Sequence, residues 1–128
     1  MPDLKEKAAS LLSATTVSFA ADADTTLYTV PTGKRCVLSH AIVVAAADAG
    51  ATTDLSIGAA AAGTDWVDAV TLSNLDAAYD AVKVEPLMAD PPVKIKSYAA
   101  AAVIEAKIAS QSGSAGNTIY LFGHLYDA

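Results

Sequence analysis

An all-β, jelly-roll-like β-sandwich of about eight strands with a short N-terminal helix is the fold this sequence predicts. Three observations lead there. Short segments rich in β-branched and aromatic residues recur along the chain, such as Thr25-Thr26-Leu27-Tyr28-Thr29-Val30 and Thr118-Ile119-Tyr120-Leu121-Phe122. Turn and loop residues separate them, most clearly Pro31-Thr32-Gly33 and the Ser- and Gly-rich stretch from Ser110 to Asn117. No helix-periodic segment lies between the strands to serve as a crossover, which argues against a parallel α/β sheet. At 128 residues the chain has the size of one domain and can bury a core without disulfide or metal.

Asp3 is placed to cap a first helix, with Glu6 in the reciprocal capping position. Leu4, Ala8, Leu11 and Leu12 share one helical face, so the helix is expected to end near Ser13. Residues 1–14 are therefore read as an N-terminal helix or arm, and residues 15–128 as the sandwich. Strands are expected over 15–19 and 25–30, then over 35–46, the longest of the set. Pro31-Thr32-Gly33 reads as the turn of a hairpin between the last two. Strict alternation would put Leu38, His40, Ile42 and Val44 on one face and Val37, Ser39, Ala41 and Val43 on the other. Both faces are mostly apolar, as in a central strand or one that meets another subunit. Further strands are expected over 55–58, 66–72, 79–85, 94–98, 102–108 and 118–126. The run 102–108 shows the cleanest half-buried pattern, with Ala102, Ile104, Ala106 and Ile108 inward. Residues 110–117 read as a hairpin loop leading to the last strand.

Composition bounds the function. Hydrophobic residues make up 53% of the chain but aromatic ones only 6%, so the core is built largely from small side chains. With 14 acidic against 8 basic residues the net charge is -6, and no basic stripe offsets it, so nucleic acid is not an expected partner. The N-terminal order Met1-Pro2-Asp3-Leu4-Lys5-Glu6-Lys7 is not that of a signal peptide, and the longest apolar run, residues 41–47, has strand length. Synthesis in the cytoplasm and no membrane partner are the expectation. A mean hydropathy of +0.37 leaves room for an extensive protein contact surface.

No catalytic set emerges, and the chain is read as a binding module, not an enzyme, with no cofactor. His40 and His124 are the only histidines and lack the close pairing of a cupin metal site. Gly-x-Ser-x-Gly does not occur. Cys36, the single cysteine, stands beside Lys34 and Arg35 but opens a strand, where a small buried hydrophobe is expected. Asp22 with Asp24, and Asp48 with Asp54, have the character of turn residues more than of a calcium loop. Lys94 and Lys96 share one strand face, either for an acidic partner or as a solvated edge. Trp66 with Tyr79 and Tyr98 would be the platform if the chain bound sugar.

Tyr28-Thr29-Val30-Pro31-Thr32-Gly33-Lys34-Arg35, followed by an apolar strand, resembles a segment of small β-sandwich proteins of tailed bacteriophages, above all capsid decoration (cement) proteins and some tail-fibre modules. The alanine- and threonine-rich body, the acidic balance and the last apolar strand are similar as well. The resemblance implies a virion protein that sits on the outer capsid surface as a homotrimer and bridges neighbouring major capsid protein subunits. Many weak contacts repeated over a lattice would supply avidity. Leu4, Leu11 and Leu12 of the arm, Ile42, Val43 and Val44 of the long strand, and Trp66 are the expected contacts with shell or sister subunits. The alternative is a tail-fibre or adhesin module that binds host-surface carbohydrate.

Overall fold

The computed structural model describes residues 9–59, 63–92 and 95–128. Among them the chain forms nine strands and no helix: β1 (Ser10–Val17), β2 (Ala23–Thr29), β3 (Lys34–Val44), β4 (Asp54–Ala59), β5 (Val67–Thr71), β6 (Ala81–Val84), β7 (Ser97–Tyr98), β8 (Val103–Ala109) and β9 (Asn117–Asp127). They build two antiparallel sheets, β1-β9-β3-β6 with β7 also on β3, and β2-β8-β4-β5. Inward side chains of both sheets meet in one core that includes Phe19, Leu38, Leu55, Ile57, Ile104 and Leu121, so the domain is a β-sandwich. Burying each such side chain contributes roughly 1.5–3 kcal/mol.

Four expectations need correction. The first is the N-terminal helix. Its start lies outside the described residues, but Ser10 to Ser13, the expected last turn, belong to β1 and pair with the last strand from Gly123 to Leu121. The edge of β9 offers a ladder of backbone partners, and that tertiary gain outweighs a helical spacing of leucines. A bulge at Leu12 turns its side chain to the core while Leu11 stays outside.

The second and third concern hairpins. The Pro31 carbonyl does accept the Lys34 N–H at 3.2 Å, and Gly33 takes φ +76°, as a tight turn requires. However, β2 pairs with β8 and β3 with β9, so this turn carries the chain from one sheet to the other. The loop before β9 does the same, because β8 and β9 lie in different sheets.

The fourth concerns the faces of β3. A bulge at Ser39 shifts its register against β9. Cys36 and Leu38 point inward before it, Ala41 and Val43 after it. One extra residue therefore moves His40, Ile42 and Val44 to the outer face, opposite to Leu38. The pattern expected for 102–108 is the observed one: Ile104, Ala106 and Ile108 are buried, and Ala102 packs against the core.

Candidate functional site

The outward residues of the β1-β9-β3-β6 sheet form the most distinctive surface of the molecule. On β9, Ile119, Leu121 and Gly123 are buried, so Tyr120, Phe122, His124 and Tyr126 stand on the outer side. Their cross-strand partners on β3 are Ile42, His40, Val37 and Arg35, respectively. His40 stacks on Phe122 with ring centroids 4.6 Å apart and planes 10° from parallel. Its Nδ1 lies 3.0 Å from the Ser39 hydroxyl. Leu11 flanks Phe122 from β1 and is 52% exposed. Lys83 of β6 flanks Ile42 on the other side. At the far end Arg35 donates to the Ser97 hydroxyl and carbonyl at 2.9 and 2.7 Å, and that hydroxyl also bonds the Tyr126 phenol.

Charge distinguishes this face from the opposite one. The strands β1, β3, β6 and β9 carry no acidic residue except Asp127, which pairs with Lys34 at the rim. By contrast, β2, β4, β5 and β8 include Asp24, Asp54, Asp68 and Glu105. One side of the sandwich is apolar, aromatic and mildly cationic, and the other is polar and acidic.

The expected contact residues divide accordingly. Ile42 and Val44 lie on the outer face, with Leu11 at its margin. Val43 is fully buried, Trp66 is 6% exposed, and Leu12 packs on the core, so these three present little or nothing to a partner. Leu4 lies outside the described residues. Sequence reasoning passed over Leu87 and Met88, which are 83% and 95% exposed in the loop after β6. A signal existed: two large apolar residues sit between Pro86 and Pro91-Pro92, where no central strand can form to bury them. Pro86 and Leu87 line shallow grooves beside Leu38 and Ser39 on one side and Trp66 and Val70 on the other.

The remaining candidates are structural. Cys36 is buried, and burial pushes its thiol up to about 11, so it stays protonated at neutral pH. Asp22 accepts from the Gln111 N–H, Asp48 from Gly50 and Asp54 from the Thr71 hydroxyl, bracing loops and a strand pair. Among the described residues no three His, Cys, Asp or Glu side chains gather as a metal ion would need. Also among them, no helix is long and apolar enough to cross a membrane. Tyr98 is buried like Trp66, whereas Tyr79 is 87% exposed, so the three do not share an open platform for a sugar.

Tyr98 and Lys96 instead serve a clamp at Asp65. Its carboxylate accepts from the Tyr98 phenol, the Lys96 ammonium and the Ala59 N–H, each at 2.9 Å. Burial by itself would raise the Asp65 carboxyl, but these three donors outweigh it and hold it below the ordinary value. Burial first, and the Asp65 bond second, raise the Tyr98 phenol well above its usual range. A depressed carboxyl stabilises the fold above its unfolded value near pH ~3.9 and loses that contribution as pH falls through the lower folded value. Asp65→Asn is therefore expected to cost about 1–2 kcal/mol at pH 7. The gap from wild type should narrow as pH falls below the unfolded value and through the lower folded one. Urea melts across that range would contradict the clamp if the gap were constant with pH.

No protein family and no curated protein matches this sequence. Among solved structures, the chain is similar in fold to one from the cyanophage Pam1 capsid asymmetric unit, with a TM-score of 0.57. The likeness covers 94% of this chain and 85% of that one, at 13% sequence identity.

Proposed function

We propose that this protein is a structural component of a phage virion: a capsid decoration protein that binds the outer surface of the head as a trimer and bridges neighbouring major capsid subunits. The observation that carries this reading is the fold shared across nearly the whole chain with a member of a cyanophage capsid asymmetric unit. The resemblance of the Tyr28 to Arg35 segment to phage decoration proteins points the same way. The strand orders β1-β9-β3-β6 and β2-β8-β4-β5 fit a jelly roll, in which the chain crosses repeatedly between two four-stranded sheets, with β4 and β5 as a hairpin within one of them and β7 as an addition.

The mechanism needs no reaction and no cofactor. The sandwich is the rigid body, its apolar sheet face supplies association, and the segment before β1 grips the shell. The half-buried aromatics of that face suit a contact whose energy comes from desolvation with few ion pairs. A glycan-binding role has less support, because Trp66 and Tyr98 lie in the interior.

Deletion of residues 1–8 tests the grip, since it stops short of β1. The shortened protein should keep its oligomer mass in light scattering yet sediment with heads at least tenfold more weakly. Undiminished binding to heads would remove the arm from the mechanism.

A further inference from the structure

Two apolar features stand out on the described surface, and they differ in shape and in charge. One is the broad face centred on Ile42 and Phe122, with Arg35 and Lys83 among its outward residues and His40 and His124 between them. The other is the narrow loop bearing Leu87 and Met88, bracketed by the carboxylates of Glu85 and Asp90. A flat, mildly cationic apolar face and a protruding, acid-flanked apolar tip are complementary in both respects.

We propose that the Leu87 and Met88 loop of one copy seats on the outer face of the β1-β9-β3-β6 sheet of a second copy, over Ile42 and Phe122. The inference rests on the reading that copies of this chain associate. Charge selects the occupant. Two such faces packed against each other would pair surfaces of the same sign, with Arg35 and Lys83 on both. The opposite sheet offers Asp24, Asp54, Asp68 and Glu105 but little apolar surface to desolvate. The loop offers both carboxylates and apolar atoms. Glu85 is already paired with Lys83 of its own chain at 3.4 Å, but both are half exposed, and such a pair is weak enough to exchange partners.

The loop follows the edge strand β6, whereas the receiving surface is the flat of the same sheet. Loop and face are different surfaces of one molecule, so a one-way contact between them is heterologous. Repeated head to tail with a rotation of one third of a circle, such a contact closes into the ring that a trimer requires.

A complementation experiment tests this directly. Ile42→Glu spoils the face, and the double variant Leu87→Asp with Met88→Asp spoils the tip. Each alone should be monomeric by light scattering, near 13.0 kDa. Mixed together they should form a one-to-one heterodimer, because the intact tip of the first fits the intact face of the second. An isologous face-to-face contact would be broken by Ile42→Glu alone and give no rescue on mixing. Survival of the wild-type oligomer in either variant overturns the loop-to-face contact and leaves self-association standing through another surface. A monomeric wild type overturns both. If Ile42→Glu fails to fold, Lys83→Glu replaces it and should raise the dissociation constant at least fivefold; no change would count against the contact.

Discussion

Asn117→Ala should lower the unfolding free energy by about 4 kcal/mol and the melting temperature by more than about 10 °C. Asn117 opens β9 and has no exposed surface. Its side-chain carbonyl accepts the Ala46 N–H at 2.9 Å, and its amide donates to the Ser114 and Val17 carbonyls at 2.6 and 3.3 Å. One amide thereby ties together the end of β1, the segment after β3 and the loop before β9. Truncation leaves the Ala46 N–H and two carbonyls short of partners around a fully buried side chain, and each such loss costs about 1–3 kcal/mol where it stays out of reach of water. Against a total stability of roughly 5–15 kcal/mol this is a large fraction. Chemical denaturation checks it, and a change under about 1 kcal/mol would show that water replaces the amide.

Gly123→Val is the second large effect, about 3 kcal/mol of destabilisation or more. A Cβ at Gly123 would stand 2.7 Å from the Val37 carbonyl oxygen and 2.9 Å from Leu12 Cδ1. Leu12 could swing away, but the Val37 carbonyl is backbone of β3, held by its ladder with β9. A Gly123→Val variant as stable as the wild type would contradict this close approach of the Val37 carbonyl, and with it the register of β3 on β9.

Much of this architecture was legible in the sequence, and the failures have specific physical causes. β-branched runs and their spacing located the strands from β2 to β9 to within a few residues, since those side chains fit a pleated, half-buried surface. Pro31-Thr32-Gly33 marked a reversal correctly, but a tight turn dictates only that the chain reverses, while pairing is settled by which faces can be buried. Hence both expected hairpins became crossings between sheets. The bulge at Ser39 could not be read from alternation, because β3 is apolar on both faces and either phase looks acceptable. That one residue parted Leu38, which faces the core, from His40, Ile42 and Val44, which face outward. Leu11 and Leu12 misled because i, i+4, i+7 spacing says nothing about a neighbouring edge able to pair.

The surface was harder to read than the fold. Its aromatic members on β9 are spaced by two, a pattern visible in Tyr120, Phe122, His124 and Tyr126 once the inward phase is known. Their juxtaposition with His40 and Ile42 depends on the register of β3 against β9, which local sequence does not contain. The charge asymmetry between the two sheets likewise appears only when distant strands are assigned to the same side.

Decoration of the outside of a phage head can be seen or refuted on the particle itself. Difference density should be calculated between virions that carry the protein and virions from which its gene has been deleted. A decoration protein of this kind gives density of three-fold symmetry on the exterior of the head shell, absent from the deletion particles. Density confined to the tail fibres, or unchanged heads, would contradict that role.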